Sequence, residues 1–362
     1  MKATHGAFLL ANLFYLAVVH ARVWTLGPTP ADQALFSNAD ALPVPAARAV
    51  VLMRQLFGDF EAGYLFLNLL LLYAILVVAY ALINATVRGP IWLGSFGIAI
   101  LMANPMKNDA VLMLTGIQHL LPALLALFSL LAFHCAIVLK RKTVWYALSL
   151  LSFLLVAPFF PAYAGLFCAY PLLLLTLPGD SARPWWRVLP YAGIGLPLAI
   201  AGLLRSGIPA AVLDQFFTPL FLLVYPIGLL PETVARFHES PIHYAAALGM
   251  GIAITIIIGF KLRQSAFWLG IALAATFRLF SVGYSVDPIS GEGGGVLIVP
   301  LLGASIALAA LAKGMMGHPK WVRPVVGLTT TLCILYFALE WRSIAQWNDT
   351  AAPVANSPAR PG

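Results

Sequence analysis

The sequence predicts an all-α polytopic membrane protein with about eleven transmembrane helices. Hydrophobic residues make up 61% of the 362 residues and charged residues only 9%, a balance that excludes an ordinary soluble domain. Apolar runs of about 20 residues, the length needed to cross a bilayer, recur from one end of the chain to the other. Positively charged residues gather in short loops between these runs, which allows the orientation to be predicted as well.

The individual spans follow from uninterrupted apolar stretches between polar loops. We predict them near residues 6–26, 63–85, 90–105, 110–138, 143–158, 161–178, 188–204, 242–260, 265–283, 296–312 and 324–341. No small-residue cleavage signal follows the first run, so we predict a retained span rather than a signal peptide. Residues 216–230 are also apolar, but prolines interrupt them, and we predict a re-entrant or interfacial element there.

The distribution of charge predicts a cytoplasmic N-terminus and an extracytoplasmic C-terminus, in what we expect to be a bacterial inner membrane. In this orientation the cytoplasmic loops hold Arg88, Lys140, Arg141, Lys142, Arg183, Arg187, Lys261, Arg263, Lys313, Lys320 and Arg323. The same loops contain a single acid, Asp180, as the preference of basic residues for the cytoplasmic side requires. Although the net charge is +8, the basic residues form no continuous face with aromatic residues, so no nucleic-acid partner is expected.

The first outer loop, residues 27–62, is the longest and begins with a proline-rich stretch. Residues 46–60 (AARAVVLMRQLFGDF) place apolar side chains at helical spacing, with Arg48 and Arg54 on the other face, the pattern of a helix lying in the membrane interface. We assign 1–341 to one transmembrane domain and predict a disordered tail at 342–362, which is rich in Ala, Pro and Asn. The cysteines have neither disulfide nor metal spacing, and no metal or cofactor is expected.

A polar turn at residues 104–109 (NPMKND) separates two apolar runs. We predict that it opens one helix over 110–140, with Gln118 and His119 about two turns, or roughly 13–15 Å, below the helix start. A polar pair at that depth faces the protein interior, where it binds a ligand or a neighbouring helix. Asp109 lies at the helix N-terminus, where an acid stabilises the helix dipole even without another role.

Arg278 interrupts an apolar run within reach of the outer face. An arginine at membrane depth is costly unless it is paired or hydrated, so it is a candidate site residue. Glu292, in the adjoining outer loop, is its candidate partner. The alternative is that Arg278 extends to the interface and has no site function.

Several short motifs occur in a fixed order along the chain: YLFLNLLL from Tyr64, ANPMKNDAV from Ala103, TGIQ from Thr115, YPIGL from Tyr225, and GE at Gly291 followed by IVPLLG. They resemble, in the same order, the segments fhl-N-lll-H, HP-ihvE-aV, isgR, llP-lgL and ERylYlPslG of one membrane-protein family. That family is the membrane domain of the protein O-mannosyltransferase type within the GT-C glycosyltransferases. The resemblance covers about residues 64–312 and implies a GT-C-like fold without the tetratricopeptide repeats of that branch.

The resemblance implies transfer of a sugar from a polyprenyl-phosphate-linked donor to an acceptor, for example a protein, on the extracytoplasmic face. Asp32 matches the family's catalytic acidic pair in the first outer loop, and Asp109 matches its glutamate, so both are candidate catalytic carboxylates. A carboxylate can act as the general base toward the acceptor hydroxyl. The phosphate needs cations or helix N-termini; the candidates are Arg54, Lys107, His119 and Arg278, with Gln118 in the place of a family arginine.

Departures from the family keep two alternatives open. The family's histidine before proline is Asn104 here, and its arginine is Gln118. Since phosphate chemistry needs its cations, the first alternative is a catalytically inactive GT-C-fold subunit or scaffold of a larger membrane complex. The second is a transporter, which predicts internal repeats and broken helices meeting at the midplane. Membrane lipids are expected partners under every interpretation.

Overall fold

The computed structural model describes residues 2–20, 32, 44–58, 60–139, 142–177, 184–206, 253, 255–262, 264–279, 297–317 and 319–355. Every regular element in this part of the chain is a helix, so the predicted all-α class is confirmed. Four of the described helices are long and apolar enough to cross a membrane. The count of about eleven spans stays a prediction, and the proposed element at 216–230 lies outside the described residues.

The helices carry the labels α1 to α13 in chain order. They are α1 (Lys2–Val19), α2 (Val44–Phe57), α3 (Glu61–Val87), α4 (Ile91–Met102), α5 (Asn108–Leu112), α6 (Ile117–Val138), α7 (Lys142–Val156), α8 (Pro161–Ala164), α9 (Ala169–Leu175), α10 (Leu189–Ser206), α11 (Ser265–Leu279), α12 (Ile298–Met315) and α13 (Pro319–Ala355). Short 3-10 helices at Pro105–Lys107, Gly165–Cys168 and Trp185–Val188 connect some of them. The four candidate spans are α3, α6, α12 and the part of α13 up to residue 345.

The polar turn at 104–109 interrupts the helical path more than the sequence predicts. The prediction of a single helix over 110–140 is wrong, because α5 ends at Leu112 and α6 begins only at Ile117. Met113 between them is extended, with ψ 139°. Gly116 then approaches the preceding turn so closely that a Cβ there would lie 1.9 Å from the carbonyl oxygen of Ala110. This close approach requires glycine.

Two further elements differ from the sequence prediction. The span expected at 161–178 is divided into α8, a 3-10 helix and α9. The last helix, α13, continues to Ala355, through residues whose composition predicted a disordered tail. A helix is already nucleated in the apolar part of α13, and adding residues to an existing helix is far easier than starting one.

The described helices place charged and polar residues at two opposite ends of the bundle. His5, at the start of α1, bonds the Tyr80 hydroxyl near the end of α3 at 2.7 Å, so these helices are antiparallel. Lys313, at the end of α12, donates to the carbonyl of Val87 at the end of α3. Near this end lie Arg88, Lys142, Arg187 and Lys313, which we call the basic end. At the other end lie His20, Lys107, Thr115 and Glu340, which we call the polar end.

Hydroxyl groups connect α6, α7, α9 and α10 within the bundle. Ser129 and Ser149 each donate to the other's carbonyl oxygen, at 2.6 and 2.7 Å. Tyr170 and Tyr191 add hydroxyl contacts of 2.7 Å to these serines, and their rings stack with centroids 3.9 Å apart. Because every hydroxyl in this group has a partner, it holds the helices together without exposing polar groups to lipid.

Helices α11 and α12 cross where small residues let the backbones meet. A Cβ at Gly303 would lie 2.6 Å from both the backbone nitrogen of Ala274 and the carbonyl oxygen of Gly270. Membrane helices use such small residues to approach closely. The crossing aligns α11 with α12, and Gly97 of α4 packs on the other side of α12 near Ser305.

Replacing Gly303 with alanine is expected to destabilise the bundle, because the new methyl group meets backbone atoms that cannot move aside. We expect a loss of about 1–3 kcal/mol in the free energy of unfolding. Thermal or denaturant unfolding of purified protein in detergent measures it. The matched control is Gly193→Ala in α10, where a Cβ would meet nothing within 4 Å. Equal effects of the two substitutions would contradict the close crossing.

Candidate functional site

The segment from Asn104 to Thr115 is both polar and buried, and it forms the centre of the polar end. Asn104, Lys107 and Asn108 have no exposed surface, Asp109 is 6% exposed and Thr115 is 1% exposed. Non-helical backbone is tolerated at membrane depth only where protein or an aqueous cavity surrounds it. The neighbouring helices must therefore supply the hydrogen-bond partners of this segment.

Asn68 of α3 supplies partners where the helix is interrupted. Its side-chain amide donates to the carbonyl oxygen of Met113 at 2.7 Å and lies 3.4 Å from that of Val111. Val111 is in the last turn of α5 and Met113 follows the end of that helix, so both carbonyls lie where the regular helical bonds stop. Asn68 itself has no exposed surface, so α3 and the interrupted segment are fixed to each other.

A buried ion pair joins the segment to the last helix. The ammonium of Lys107 donates to a carboxylate oxygen of Glu340 at 2.6 Å, and neither side chain is exposed. The same ammonium lies 3.2 Å from the amide oxygen of Asn108 and 3.4 Å from the carbonyl oxygen of Asn104. Burial lowers the pKa of Lys107 from its ordinary value, and the Glu340 carboxylate opposes that shift. The short distance indicates an ammonium–carboxylate pair.

A second contact lies almost one helical turn further along α13. Asn108 donates from its amide to the hydroxyl of Ser343 at 2.9 Å. Glu340 and Ser343 are three residues apart and therefore share one helix face. Through these two side chains α13 fixes the position of Lys107 and Asn108 in the polar turn.

Asp32 contacts the other side of the interruption. One of its carboxylate oxygens accepts from the backbone N–H of Thr115 at 2.9 Å and from the Thr115 hydroxyl at 2.8 Å. Asp32 has no exposed surface, although it comes from a proline-rich loop in which an acid is usually solvated. The structure thus brings a predicted catalytic residue against a motif that lies 83 residues away in the chain.

The other residues predicted for the site differ in how deeply they are buried. Asp109 is buried in the first turn of α5. Gln118 and His119 are half-buried in the first turn of α6. Their predicted depth of two turns below the helix start is wrong, since α6 begins at Ile117. They lie close in sequence to Thr115, which bonds Asp32.

The candidate cations at the periphery are not gathered with this cluster by any described contact. Arg54 lies on the exposed face of α2. Arg278 belongs to α11, but its side chain lies outside the described residues, as does Glu292. Their predicted pairing stays a prediction. Lys107 forms its ion pair with Glu340.

Sequence reasoning missed Glu340, His20, Asn68 and Ser343 as members of the site. Glu340 lies near the end of the apolar span predicted at 324–341, where an acid is a functional candidate by default. Its opposite charge to Lys107 at the same end of the bundle was the available signal. Asn68 stands at the asparagine of the YLFLNLLL motif, but its role could not be read from the motif because it depends on where the backbone of another helix is interrupted. Among the described residues no three His, Cys, Asp or Glu side chains group as metal ligands.

Removing one member of the ion pair is expected to destabilise the protein strongly, because it leaves an uncompensated buried charge. Lys107→Met and Glu340→Leu should each lower the free energy of unfolding by about 3–5 kcal/mol. The double variant should lose much less than the sum of the two, since it leaves no buried charge. A double-mutant cycle based on unfolding in detergent measures the coupling.

The control for this cycle is Lys142→Met. Lys142 is exposed at the basic end, and its replacement should change stability by no more than about 0.5 kcal/mol. Additive effects of the Lys107 and Glu340 substitutions would show that the two side chains are not paired in solution.

The arrangement brings three buried carboxylates, from Asp32, Asp109 and Glu340, to an interrupted segment that also carries the Lys107 ammonium and leads into α6. Such groups suit acid–base chemistry on a polar substrate at a membrane surface. No protein-family model, no curated protein and no solved structure matches this chain. The function is therefore argued from the chemistry of this cluster.

Proposed function

We propose that the chain is a membrane glycosyltransferase that moves a sugar from a polyprenyl-phosphate-linked donor to an acceptor on the extracytoplasmic face. The observation that supports it best is the contact between Asp32 and Thr115. Sequence resemblance assigned catalysis to Asp32 and a site motif to the residues around Thr115. These two parts of the sequence meet in a buried polar cluster, as a shared active site requires.

In this proposal Asp32 is the general base that accepts the proton of the acceptor hydroxyl. The Thr115 N–H and hydroxyl hold one carboxylate oxygen at 2.9 and 2.8 Å, which fixes the direction in which the carboxylate points. Asp109, also buried beside the interruption, is the second candidate carboxylate.

The phosphate leaving group needs stabilising positive charge. The Lys107 ammonium is already held by Glu340, Asn108 and Asn104, so we assign it to shaping the site. Arg54 and Arg278 remain the proposed phosphate ligands. The N-terminus of α6 contributes its helix dipole, which favours an anion, while the backbone N–H groups of Gln118 and His119 donate to the carbonyl oxygens of Thr115 and Gly116.

Membrane lipids and the lipid tail of the donor are the proposed hydrophobic partners. Apolar side chains are exposed along α1 and α13, among them Phe14 at 72% and Ile334 at 63%. Such surfaces are stable when lipid covers them. We also propose about eleven spans in a bacterial inner membrane, with the basic end in the cytoplasm, because basic residues favour that side.

Asp32→Asn should abolish sugar transfer while leaving the fold intact, because the amide keeps the shape but cannot accept the proton. We expect the rate to fall about 10²–10⁴-fold, the usual contribution of general base catalysis. Purified protein in nanodiscs, supplied with radiolabelled polyprenyl-phosphate mannose or glucose and a membrane-protein extract as acceptor, provides the assay. Lys142→Met is the control and should transfer sugar at the wild-type rate.

A wild-type rate in Asp32→Asn would exclude Asp32 as the base. Thermal unfolding of the same sample separates lost chemistry from lost folding. If the wild-type chain turns over no donor but purifies with a stable membrane partner, the inactive-subunit alternative is favoured. The observation that supports this alternative is the ion pair between Glu340 and Lys107. Because Lys107 is the cation of the polar turn, this pair leaves none there for a phosphate.

The proposed orientation predicts which end of the bundle reagents outside the cell can reach. In a variant without the native cysteines, Gln55→Cys in exposed α2 should react with a membrane-impermeant maleimide on intact cells. Lys142→Cys at the basic end should react only after the membrane is opened. The reverse labelling pattern would place the polar end in the cytoplasm and would exclude an extracytoplasmic active site.

A further inference from the structure

Two buried hydrogen-bond acceptors lie near each other at the polar end. The ring nitrogen Nε2 of His20 is 4.0 Å from Oε1 of Glu340, and the two side chains are 1% and 0% exposed. Within the part of the chain that the structure describes, His20 Nε2 and the second carboxylate oxygen of Glu340, Oε2, have no hydrogen-bond partner, whereas Oε1 accepts from Lys107. Buried polar atoms nearly always have one, so this pair needs an explanation.

The hydrogen bond at the other ring nitrogen fixes the tautomer of the neutral His20 ring. Nδ1 lies 3.1 Å from the carbonyl oxygen of Leu16. Because a carbonyl can only accept, Nδ1 must carry a proton. The neutral ring then has no hydrogen on Nε2, which is left as an acceptor facing the carboxylate.

The carboxylate of Glu340 is also acceptor-only. Its Oε1 receives the Lys107 ammonium at 2.6 Å, a contact that favours the ionised form. An ionised carboxylate has several acceptor positions and no hydrogen to donate. Two groups that can only accept, 4.0 Å apart, cannot satisfy each other, and the separation also exceeds a direct N–H···O bond.

Charge decides what kind of donor the pair can take. Lys107 and Glu340 already neutralise each other, so the group of three has no net charge when His20 is neutral. A second cation would be repelled by the Lys107 ammonium, and an anion would be repelled by the carboxylate. A neutral donor satisfies both acceptors without introducing a buried charge, which would be costly.

We propose that His20 and Glu340 together form a binding site for neutral hydroxyl donors, taken either from the sugar of a bound substrate or from an internal water. A donor oxygen about 2.8 Å from both His20 Nε2 and Glu340 Oε1 is compatible with the 4.0 Å between these two atoms. Water donates two hydrogens to such a pair, and adjacent sugar hydroxyls donate one each. The sugar source rests on the proposed function, whereas the water source does not.

Nitrogen NMR of the full chain, labelled with isotopic histidine and held in nanodiscs, tests this site directly. Three samples are compared: no added lipid, polyprenyl phosphate, and polyprenyl-phosphate mannose. His20 is expected to be a neutral ring protonated at Nδ1, with Nε2 accepting a hydrogen bond, in at least the sugar-containing sample. Spectra over about pH 5 to 8, where an ordinary histidine changes charge, should show no titration of this ring.

The three samples distinguish the two sources of the hydroxyl. A hydrogen bond on Nε2 that forms only with polyprenyl-phosphate mannose supports the sugar. A bond that is present before lipid is added and unchanged by either lipid supports an internal water. A proton on Nε2 of the neutral ring, a doubly protonated ring, or an Nε2 without a hydrogen bond in all three samples would overturn the proposal.

The His20 signal is assigned by its loss in His20→Asn. If that variant does not fold, single substitutions remove the other histidine signals in turn and leave His20 by elimination; these are His5, His119, His134, His238, His243 and His318. Glu340→Gln is a second check, because its amide can donate to Nε2. That variant should alter the Nε2 signal and reduce its response to the sugar-bearing lipid. If Asp32→Asn loses sugar transfer but the His20 signal of the wild-type chain does not respond to the sugar-bearing lipid, the proposed function is supported and the binding of sugar at His20 and Glu340 is not.

Discussion

The pairing of Lys107 with Glu340 is the interaction on which the polar end depends. It joins residues 233 positions apart, and both charges are entirely buried. A buried pair gains little net stability over apolar packing, yet each member alone would be very costly. The sequence must therefore keep both, and the last helix can take only the register in which they meet. We interpret the pair as fixing the register of α13 against the polar turn.

That register matters because the backbone between α4 and α6 is interrupted inside the protein. An apolar environment offers no water to the freed N–H and C=O groups. Asn68 from α3, Asp32 from the first loop, and Ser343 from α13 supply contacts for this segment. The segment is thus held by parts of the chain distant in sequence. The same polar groups that make the interruption tolerable also form the cluster to which we assign chemistry.

Sequence reasoning predicted part of this cluster. It selected Asp32, Lys107, Asp109, Gln118 and His119, and the structure places these residues on or beside the interrupted segment. It did not select Glu340 or His20, because charge and polarity at a helix end are as common in interfacial residues as in sites. The break between α5 and α6 could not be predicted, because Ala, Val, Leu and Met at 110–114 suit a helix. Only the close packing at Gly116, which is a tertiary contact, requires the turn.

The sequence by itself determined the all-helical class and the presence of helices apolar and long enough to cross a membrane, because composition and apolar length are local properties of the chain. Tertiary structure alone decided which polar residues meet. Contacts such as Asp32 with Thr115 and Lys107 with Glu340 connect positions far apart in the chain. No local pattern in the sequence predicts which distant residues will be in contact. These contacts form only when the helices pack and buried polar groups must find partners.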